Sequence, residues 1–206
     1  GILIFAMKNE KYNFRFGTNA ISSLYLRENK VDSMIVNDQA FIWLPSASFN
    51  YKFSRTSNFR FSYNGNTKQP SISQIQPIRD NSDPLNQVKG NPDLAQSYSQ
   101  NFNVSYNIWK AISSMSIWTY ANFGNTFNQI VSNNVIDISG RNISSFVNAD
   151  GGYYGYTGLN FDKEITKLVS IGVGLDGNLN RSISFVNNQK SAVLSASISP
   201  DVRIEL

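Results

Sequence analysis

The side chains of this chain that could recognise a ligand are amides and guanidinium groups, because the residues most used in catalysis are missing. The sequence contains no histidine and no cysteine, so the commonest general base, the thiol nucleophiles and the usual zinc ligands are absent. We therefore expect no enzyme activity and no cofactor, and we assign no metal ligand. Amides and guanidinium groups suit a polyhydroxylated or peptide ligand. The candidate ligand-binding residues are Arg15, Arg60, Asn64, Asn103 and Asn122 on predicted strands and Gln74, Gln76, Arg79 and Asp80 in a loop.

One glycine-rich segment fits a nucleotide-binding pattern. Residues 172–177, GVGLDG, match G-x-G-x-x-G, which binds a dinucleotide only where a strand ends and a helix begins. Here the alternation of apolar and polar residues continues through residues 178–185. Glycines that face a crowded interior explain the segment better than a nucleotide site does.

The acidic residues of the same predicted loop leave calcium open. Asp80 and Asp83, with Asn86 and Asp93 nearby, offer oxygen atoms of the kind that calcium prefers. Asx turns, in which these side chains accept backbone hydrogen bonds, use the same residue types. The sequence alone permits both readings.

Composition excludes several classes of protein. Only 16% of the residues are charged and 13% are aromatic, which argues against intrinsic disorder. The net charge of +4 is not gathered into any basic stretch, so we expect no nucleic-acid partner. No apolar run approaches the roughly eighteen residues of a transmembrane helix.

Strict alternation is the strongest structural signal. Apolar or aromatic residues occupy every second position in residues 12–16, 59–64, 102–108, 169–175 and 194–198, and a period of two predicts strands. The alternation places Phe59, Phe61, Tyr63, Phe102, Val104 and Tyr106 on one face and Arg60, Asn64, Asn103 and Asn107 on the other. No segment has convincing helical spacing.

The connections between the predicted strands are alternately short and long. Short polar turns are predicted at residues 8–11, 54–57, 110–113 and 162–166. Irregular segments are predicted near residues 27–37, 67–96 and 131–142, with a shorter one near 185–190. The implied strands of about 12 to 17 residues are far longer than the usual 5 to 6.

Long strands with one apolar face favour an all-β, antiparallel transmembrane β-barrel. The apolar face would meet lipid and the Asn, Ser and Gly face a wet interior, with short turns at one end and long loops at the other. Aromatic residues near strand ends suit the membrane interfaces; they include Trp43, Trp109, Trp118, Tyr153, Tyr154 and Tyr156. The alternatives are a complete barrel of eight or ten strands with a structural or adhesin role and a soluble all-β carbohydrate-binding module.

Residues 44–107 resemble the barrel of TonB-dependent receptors, and in particular the outer-membrane β-barrel family abundant in Bacteroidetes. The resemblance lies in the strand entry Leu44-Pro45-Ser46, in FRFSYN before Pro70-Ser71, and in Gly90-Asn91-Pro92-Asp93-Leu94 before a Phe-Asn-Val-Ser-Tyr strand. It implies that residues 1–206 are a partial barrel domain, about nine strands of a barrel of about 22. We expect a fragment because the chain shows no signal peptide, no plug domain and no terminal aromatic residue.

The same resemblance implies a function and a location. It points to energy-coupled uptake of a large nutrient, such as a siderophore, a glycan or a peptide, across the bacterial outer membrane. The implied partners are outer-membrane lipid, the protein's own plug domain and, through the plug, TonB, with a surface lipoprotein as a further partner. The motif Gly90 to Leu94 is expected to shape the loop, and the inward strand residues could bind ligand or only pack against the plug.

Overall fold

The computed structural model describes the backbone of residues 1–29, 34–76, 79–80, 83 and 85–206. The described residues are almost entirely strand, as the alternation predicted. In chain order the strands are β1 (Ile2–Lys8), β2 (Tyr12–Asn29), β3 (Met34–Ser54), β4 (Ser57–Lys68), β5 (Arg79–Asp80), β6 (Asn86–Lys89), β7 (Ser97–Lys110), β8 (Met115–Phe127), β9 (Gln129–Ile136), β10 (Asn142–Ala149), β11 (Gly152–Thr166), β12 (Val169–Val186) and β13 (Gln189–Glu205), and the single-turn helix α1 (Ile72–Ile75) follows β4.

Nine of the strands form one antiparallel sheet, which confirms the predicted fold class. The order of neighbours is β1, β2, β3, β4, β7, β8, β11, β12 and β13, each strand pairing with the next. Among the described residues, β1 pairs only with β2 and β13 only with β12, so the sheet is open rather than closed into a barrel. No helix in the described part of the chain is long and apolar enough to cross a membrane.

The connections alternate along the sheet in the predicted way. Residues 9–11, 55–56, 111–114 and 167–168 join strands at one end, here called the short-turn end. The longer connections, residues 69–96 and 128–151, lie at the opposite end, here called the loop end, together with the tight turn at Asn187 and Asn188. Both of these asparagines have positive φ, 51° and 63°, which asparagine tolerates better than most residues.

Four of the predicted connections are mostly strand, including residues 185–190, of which only Asn187 and Asn188 form a turn. Residues 162–166 belong to β11, and the turn is formed by residues 167–168 instead. Residues 27–29 and 34–37 extend β2 and β3 as one long hairpin, while residues 30–33 lie outside the described residues. The predicted irregular segment 131–142 is mostly strand, because residues 129–149 form the hairpin of β9 and β10.

The two long connections contribute four short strands that continue the same sheet beyond the loop end of β11. β5 pairs with β6, β6 runs parallel to β10, and β10 pairs with β9. β9 then runs parallel to the end of β12 at Phe185 and Val186, where β11 no longer reaches. We call this unit, residues 69–96 with 128–151, the loop cap.

The described residues contain very little conventional core. Buried apolar residues are found chiefly where the loop cap meets β12, with Val131, Ala149 and Ile183 in contact. On the nine long strands the apolar side chains are largely exposed, for example Phe5 at 57% and Ile198 at 76%. A water-soluble sheet would have to cover such a face, whereas lipid covers it in a membrane barrel.

The arrangement of connections predicts which end of the sheet faces the cell exterior. The chain has no natural cysteine, so single cysteines can be labelled cleanly. Asn9→Cys and Arg55→Cys should resist a membrane-impermeant maleimide in intact cells and react after permeabilisation, whereas Ser139→Cys in the loop cap should react in intact cells. Labelling of Asn9→Cys with protection of Ser139→Cys would reverse the assignment.

Candidate functional site

The five predicted ligand-binding residues on strands share one face of the sheet. Cross-strand pairing places Arg15 opposite Ser48, Ser48 opposite Ser62, Ser62 opposite Asn103 and Asn103 opposite Asn122. Arg60 lies opposite Ser105 and Asn64 opposite Asn101, on the same side. We call this side the polar face, and the opposite side, which carries Phe61 and Val104, the apolar face.

Three asparagines of β7 and β8 form a hydrogen-bonded cluster on the polar face. The Nδ2 atom of Asn122 donates to Oδ1 of Asn101 at 2.8 Å and to Oδ1 of Asn103 at 2.5 Å, and Nδ2 of Asn103 donates to Oδ1 of Asn101 at 2.7 Å. Asn122 is only 7% exposed. Its Oδ1 atom is buried and accepts no hydrogen bond from the described residues, so one acceptor is left over after the cluster has formed.

Two tyrosines extend across neighbouring glycines on the same face. Tyr154 lies opposite Gly124, and a Cβ atom at Gly124 would come within 2.6 Å of the Tyr154 hydroxyl oxygen. Tyr120 lies opposite Gly158, where a Cβ atom would come within 2.6 Å of the Tyr120 ring. The glycines therefore leave the space that each ring occupies.

The tyrosine hydroxyls are fixed by polar neighbours on adjacent strands. Asn101 Nδ2 donates to the Tyr154 hydroxyl at 2.7 Å, and the Tyr120 hydroxyl donates to Oδ1 of Asp176 at 3.2 Å. The ring centroids of Trp118 and Tyr120 are 4.8 Å apart, and those of Tyr120 and Tyr156 are 5.9 Å apart. A continuous group of rings therefore lies beside the asparagine cluster.

A cleft of about 210 Å³ opens between the cluster and the rings. It is lined by three of the predicted residues, Arg60, Asn103 and Asn122, together with residues that the sequence reasoning did not select, including Ser105, Tyr120 and Tyr156. Arg15 lies in the same row as Asn103, three strands away on β2, and Asn64 lies beside Asn101. The structure thus brings three predicted residues into one site and leaves the other two on the same face nearby.

Four aromatic residues expected at the membrane interfaces lie on the polar face instead. Trp109, Trp118, Tyr154 and Tyr156 share the parity of Asn103 and Asn122, whereas Trp43 and Tyr153 lie on the apolar face. Trp43 stacks on Tyr98 near the loop end and donates from Nε1 to Thr18 at 2.8 Å, which suits an interface position. In the segment Tyr153 to Tyr156 aromatic residues lie on both faces of the sheet. Only their pairing with β8 shows which of them lie on the polar face.

The predicted loop residues have different surroundings. The Gln74 side chain accepts a hydrogen bond from the Ser71 backbone N–H at 2.9 Å and so closes the first turn of α1. Gln76 ends that helix, and its side chain is exposed. Arg79 and Asp80 form β5, and their side chains lie outside the described residues, so their role in binding stays a prediction.

The motif Gly90 to Leu94 makes hydrogen bonds to two other segments of the loop cap. The backbone N–H of Asn91 donates to the carbonyl oxygen of Gln74 at 2.7 Å, and the Asn91 side chain donates to the Phe146 carbonyl of β10 at 2.9 Å. Asn91 Oδ1 accepts from the Asp93 N–H at 3.0 Å, and Leu94 is 9% exposed. The motif joins the proline-rich loop to the hairpin of β9 and β10.

The acidic residues of the loops act as turn caps. Asp83 accepts hydrogen bonds from the Leu85 N–H and the Asn86 side chain, both at 2.9 Å, as an Asx turn requires. In the β9–β10 turn, Asp137 accepts from the Arg141 N–H at 3.0 Å, from the Arg141 Nε at 2.7 Å and from the Ser139 N–H at 2.8 Å. The Arg141 backbone N–H, followed by its side chain and the Ser139 N–H, holds the pKa of Asp137 below its usual value.

A second cavity, of about 410 Å³, lies at the short-turn end of the polar face. Trp109, Asp162, Glu164, Arg203 and Glu205 contribute to its lining. None of the sequence-predicted ligand residues whose side chains are described lines this cavity. The two cavities are therefore separate positions along the same polar face.

Comparison with known proteins agrees with this architecture. The model of the outer membrane protein beta-barrel family matches residues 3–200. No curated protein matches the chain. Among solved structures, the siderophore receptor PirA from Pseudomonas aeruginosa is similar in fold, with 14% identity and a TM-score of 0.50. The match covers 94% of this chain and 42% of that receptor's chain.

Proposed function

The chain belongs to the outer membrane protein beta-barrel family, and from that premise we propose that it forms part of the wall of a TonB-dependent receptor that takes up a large polar nutrient, such as a siderophore, a glycan or a peptide. The observation that carries the proposal is the polar face. It runs across the nine long strands and holds the asparagine cluster and a cleft lined by Arg60, Asn103 and Asn122. A purely structural barrel has no need of such a cleft on its inner wall.

The open sheet supports a barrel with more strands. In lipid an unpaired strand edge leaves backbone groups without partners, so spanning sheets close. β1 and β13 both run from the loop end to the short-turn end, so pairing them with each other would join parallel strands. Bacterial barrels are closed by antiparallel strands of even number. We infer that further strands pair with the free edges of β1 and β13, which disfavours a closed barrel of eight or ten strands.

The remaining partners follow from the same proposal. A plug domain would contact the polar face from inside the barrel, and TonB would act on the plug from the short-turn end. The loop cap, with α1 and the β9–β10 hairpin, lies where a ligand or a surface lipoprotein would first make contact. The apolar face supports lipid as the outer partner and does not suit a soluble carbohydrate-binding module.

Binding to TonB tests the proposal directly. The full-length protein, purified in detergent, should bind the immobilised periplasmic domain of TonB, and its uptake activity in cells should disappear when TonB is removed. A small structural barrel would do neither. The proposed function would be contradicted by protein that assembles correctly, as judged by heat-modifiable migration in gels, but neither binds TonB nor requires it for uptake.

A further inference from the structure

We propose that Trp118, Tyr120, Tyr154 and Tyr156 form a platform that binds the pyranose rings of a neutral glycan, with the asparagine cluster binding its hydroxyl groups. The inference rests on the proposed function, because it names the ligand class of that same polar face. It goes beyond that function by excluding the anionic siderophores and the peptides that the polar face alone leaves open.

Aromatic rings are unexpected on the polar face. An inward barrel wall meets water or a polar ligand, yet Trp118, Tyr154 and Tyr156 are 50%, 43% and 45% exposed there. Trp118 is the fourth residue of β8, Tyr154 and Tyr156 are the third and fifth residues of β11, and all three lie on the polar face. Their position therefore differs from that of Trp43, which lies on the apolar face near the loop end.

Two of the four rings, those of Tyr120 and Tyr154, are held in fixed positions. Gly124 and Gly158 leave room for Tyr154 and Tyr120 to extend over the sheet, so each ring covers a glycine on the neighbouring strand. The hydrogen bonds from Asn101 and to Asp176 anchor the two hydroxyls. A preorganised ring loses little conformational freedom when a ligand binds, which favours affinity.

The aromatic rings and polar groups of this surface complement the two kinds of surface that a sugar presents. A pyranose has a face of C–H groups that packs on an aromatic ring and a rim of hydroxyls that both donate and accept hydrogen bonds. The platform supplies the rings. In the adjoining cleft, Asn103 and Asn122 supply amides and Ser105 supplies a hydroxyl.

The charges around the platform select a neutral ligand. Arg60 and Asp176 lie in one cross-strand row with Tyr120 between them, and Asp162 lies opposite Ser116 near Trp118, so basic groups do not predominate around the platform. An anionic iron chelate would call for several basic groups together. The cleft of about 210 Å³ is smaller than the roughly 300 Å³ at which sites for whole drug-sized ligands begin, which suits one unit of a longer chain.

Calorimetric titration of the full-length protein tests the platform. The protein is purified in a detergent without a sugar head group and titrated with maltoheptaose, cellohexaose, xylohexaose and a mannan oligosaccharide, and separately with a ferric catecholate siderophore and a hexapeptide. At least one neutral oligosaccharide should bind. Trp118→Leu and Tyr156→Leu should each weaken that binding by about tenfold or more, equivalent to roughly 1.4 kcal/mol.

Matched variants separate ring contact from loss of folding. Trp109→Leu removes a tryptophan from the same face but outside the platform and should leave the affinity unchanged, while Trp118→Phe keeps a ring and should recover most of the binding. The sugar should also change the tryptophan fluorescence, and that change should disappear in Trp118→Leu. Assembly of every variant is checked by heat-modifiable migration in gels.

Two results would overturn the inference. One is binding of the siderophore or the peptide, but of no oligosaccharide, by protein that still binds TonB; this result leaves the proposed function standing. The other is an oligosaccharide affinity that is the same in Trp118→Leu, Tyr156→Leu and Trp109→Leu. If the protein binds sugar at the platform but does not bind TonB, only the proposed uptake mechanism is contradicted.

Discussion

Replacing Val104 with arginine should largely abolish assembly of the protein in the outer membrane. Val104 lies in the middle of β7 on the apolar face, between Phe61 of β4 and Ala121 of β8. In a membrane barrel this position faces the hydrocarbon core, where an arginine costs about 2 to 4 kcal/mol. A folded outer-membrane protein that loses this much stability should accumulate as unassembled, protease-sensitive chain.

The same substitution one residue earlier is the control. Asn103→Arg places the charge on the polar face and disrupts part of the asparagine cluster, at a cost of about 1 kcal/mol for a hydrogen bond. A second pair, Ile198→Arg and Ser197→Arg on β13, repeats the comparison on adjacent exposed positions of opposite faces. Assembly is measured by heat-modifiable migration and by protease resistance in outer-membrane fractions. Equal assembly of both members in both pairs would refute the assignment of the apolar face to lipid.

The main sheet could be predicted because the sequence pattern that determines its two faces is local. A period of two in the sequence decides which residues share a face, and it placed Phe61 and Val104 on one side and Arg60 and Asn103 on the other without any knowledge of pairing. The alternation of short and long connections likewise located the two ends of the sheet. The misplaced turn at residues 162–166 shows the limit of this reasoning. Asp162 and Glu164 continue β11 on the polar face, so polarity alone does not mark a turn in a barrel.

The loop cap and the aromatic platform could not be predicted in the same way. The β9–β10 hairpin depends on pairing with β6 and β12, which are distant in sequence. Tyr154 and Tyr156 look like interface aromatics until their register with β8 places them opposite Gly124 and Asn122. The asparagine cluster was found only in part, since Asn101 joins it through hydrogen bonds across β7 and β8 that the sequence does not specify. Contacts between strands, rather than residue types along one strand, create the site.

Substituting alanine for Gly90 should detach the proline-rich loop from the hairpin while leaving the barrel wall assembled. Gly90 follows β6 at a point where the chain passes directly against the backbone of Gln76. A Cβ atom there would lie 2.8 Å from both the backbone nitrogen and the carbonyl carbon of Gln76, and closer still to its carbonyl oxygen. Backbone atoms cannot rotate away as a side chain can, so one of the two segments must move. Overpacking of this kind costs typically about 1 to 3 kcal/mol.

Displacement of either segment should disturb the hydrogen bonds that Asn91, the next residue, makes. The hydrogen bonds from Asn91 to Gln74 and Phe146 depend on the close approach of these segments, so limited proteolysis of intact cells should cut the loop cap of Gly90→Ala much faster than that of the parent. Asn91→Ala, which removes the side-chain hydrogen bonds to Phe146 and Asp93 but forces no backbone apart, should show a smaller increase. Gly155→Ala on the apolar face is the matched control, because its Cβ atom would lie 3.3 Å from the nearest atom. If Gly90→Ala resists the protease as well as Gly155→Ala does, the close approach of Gly90 and Gln76 does not hold the loop cap together.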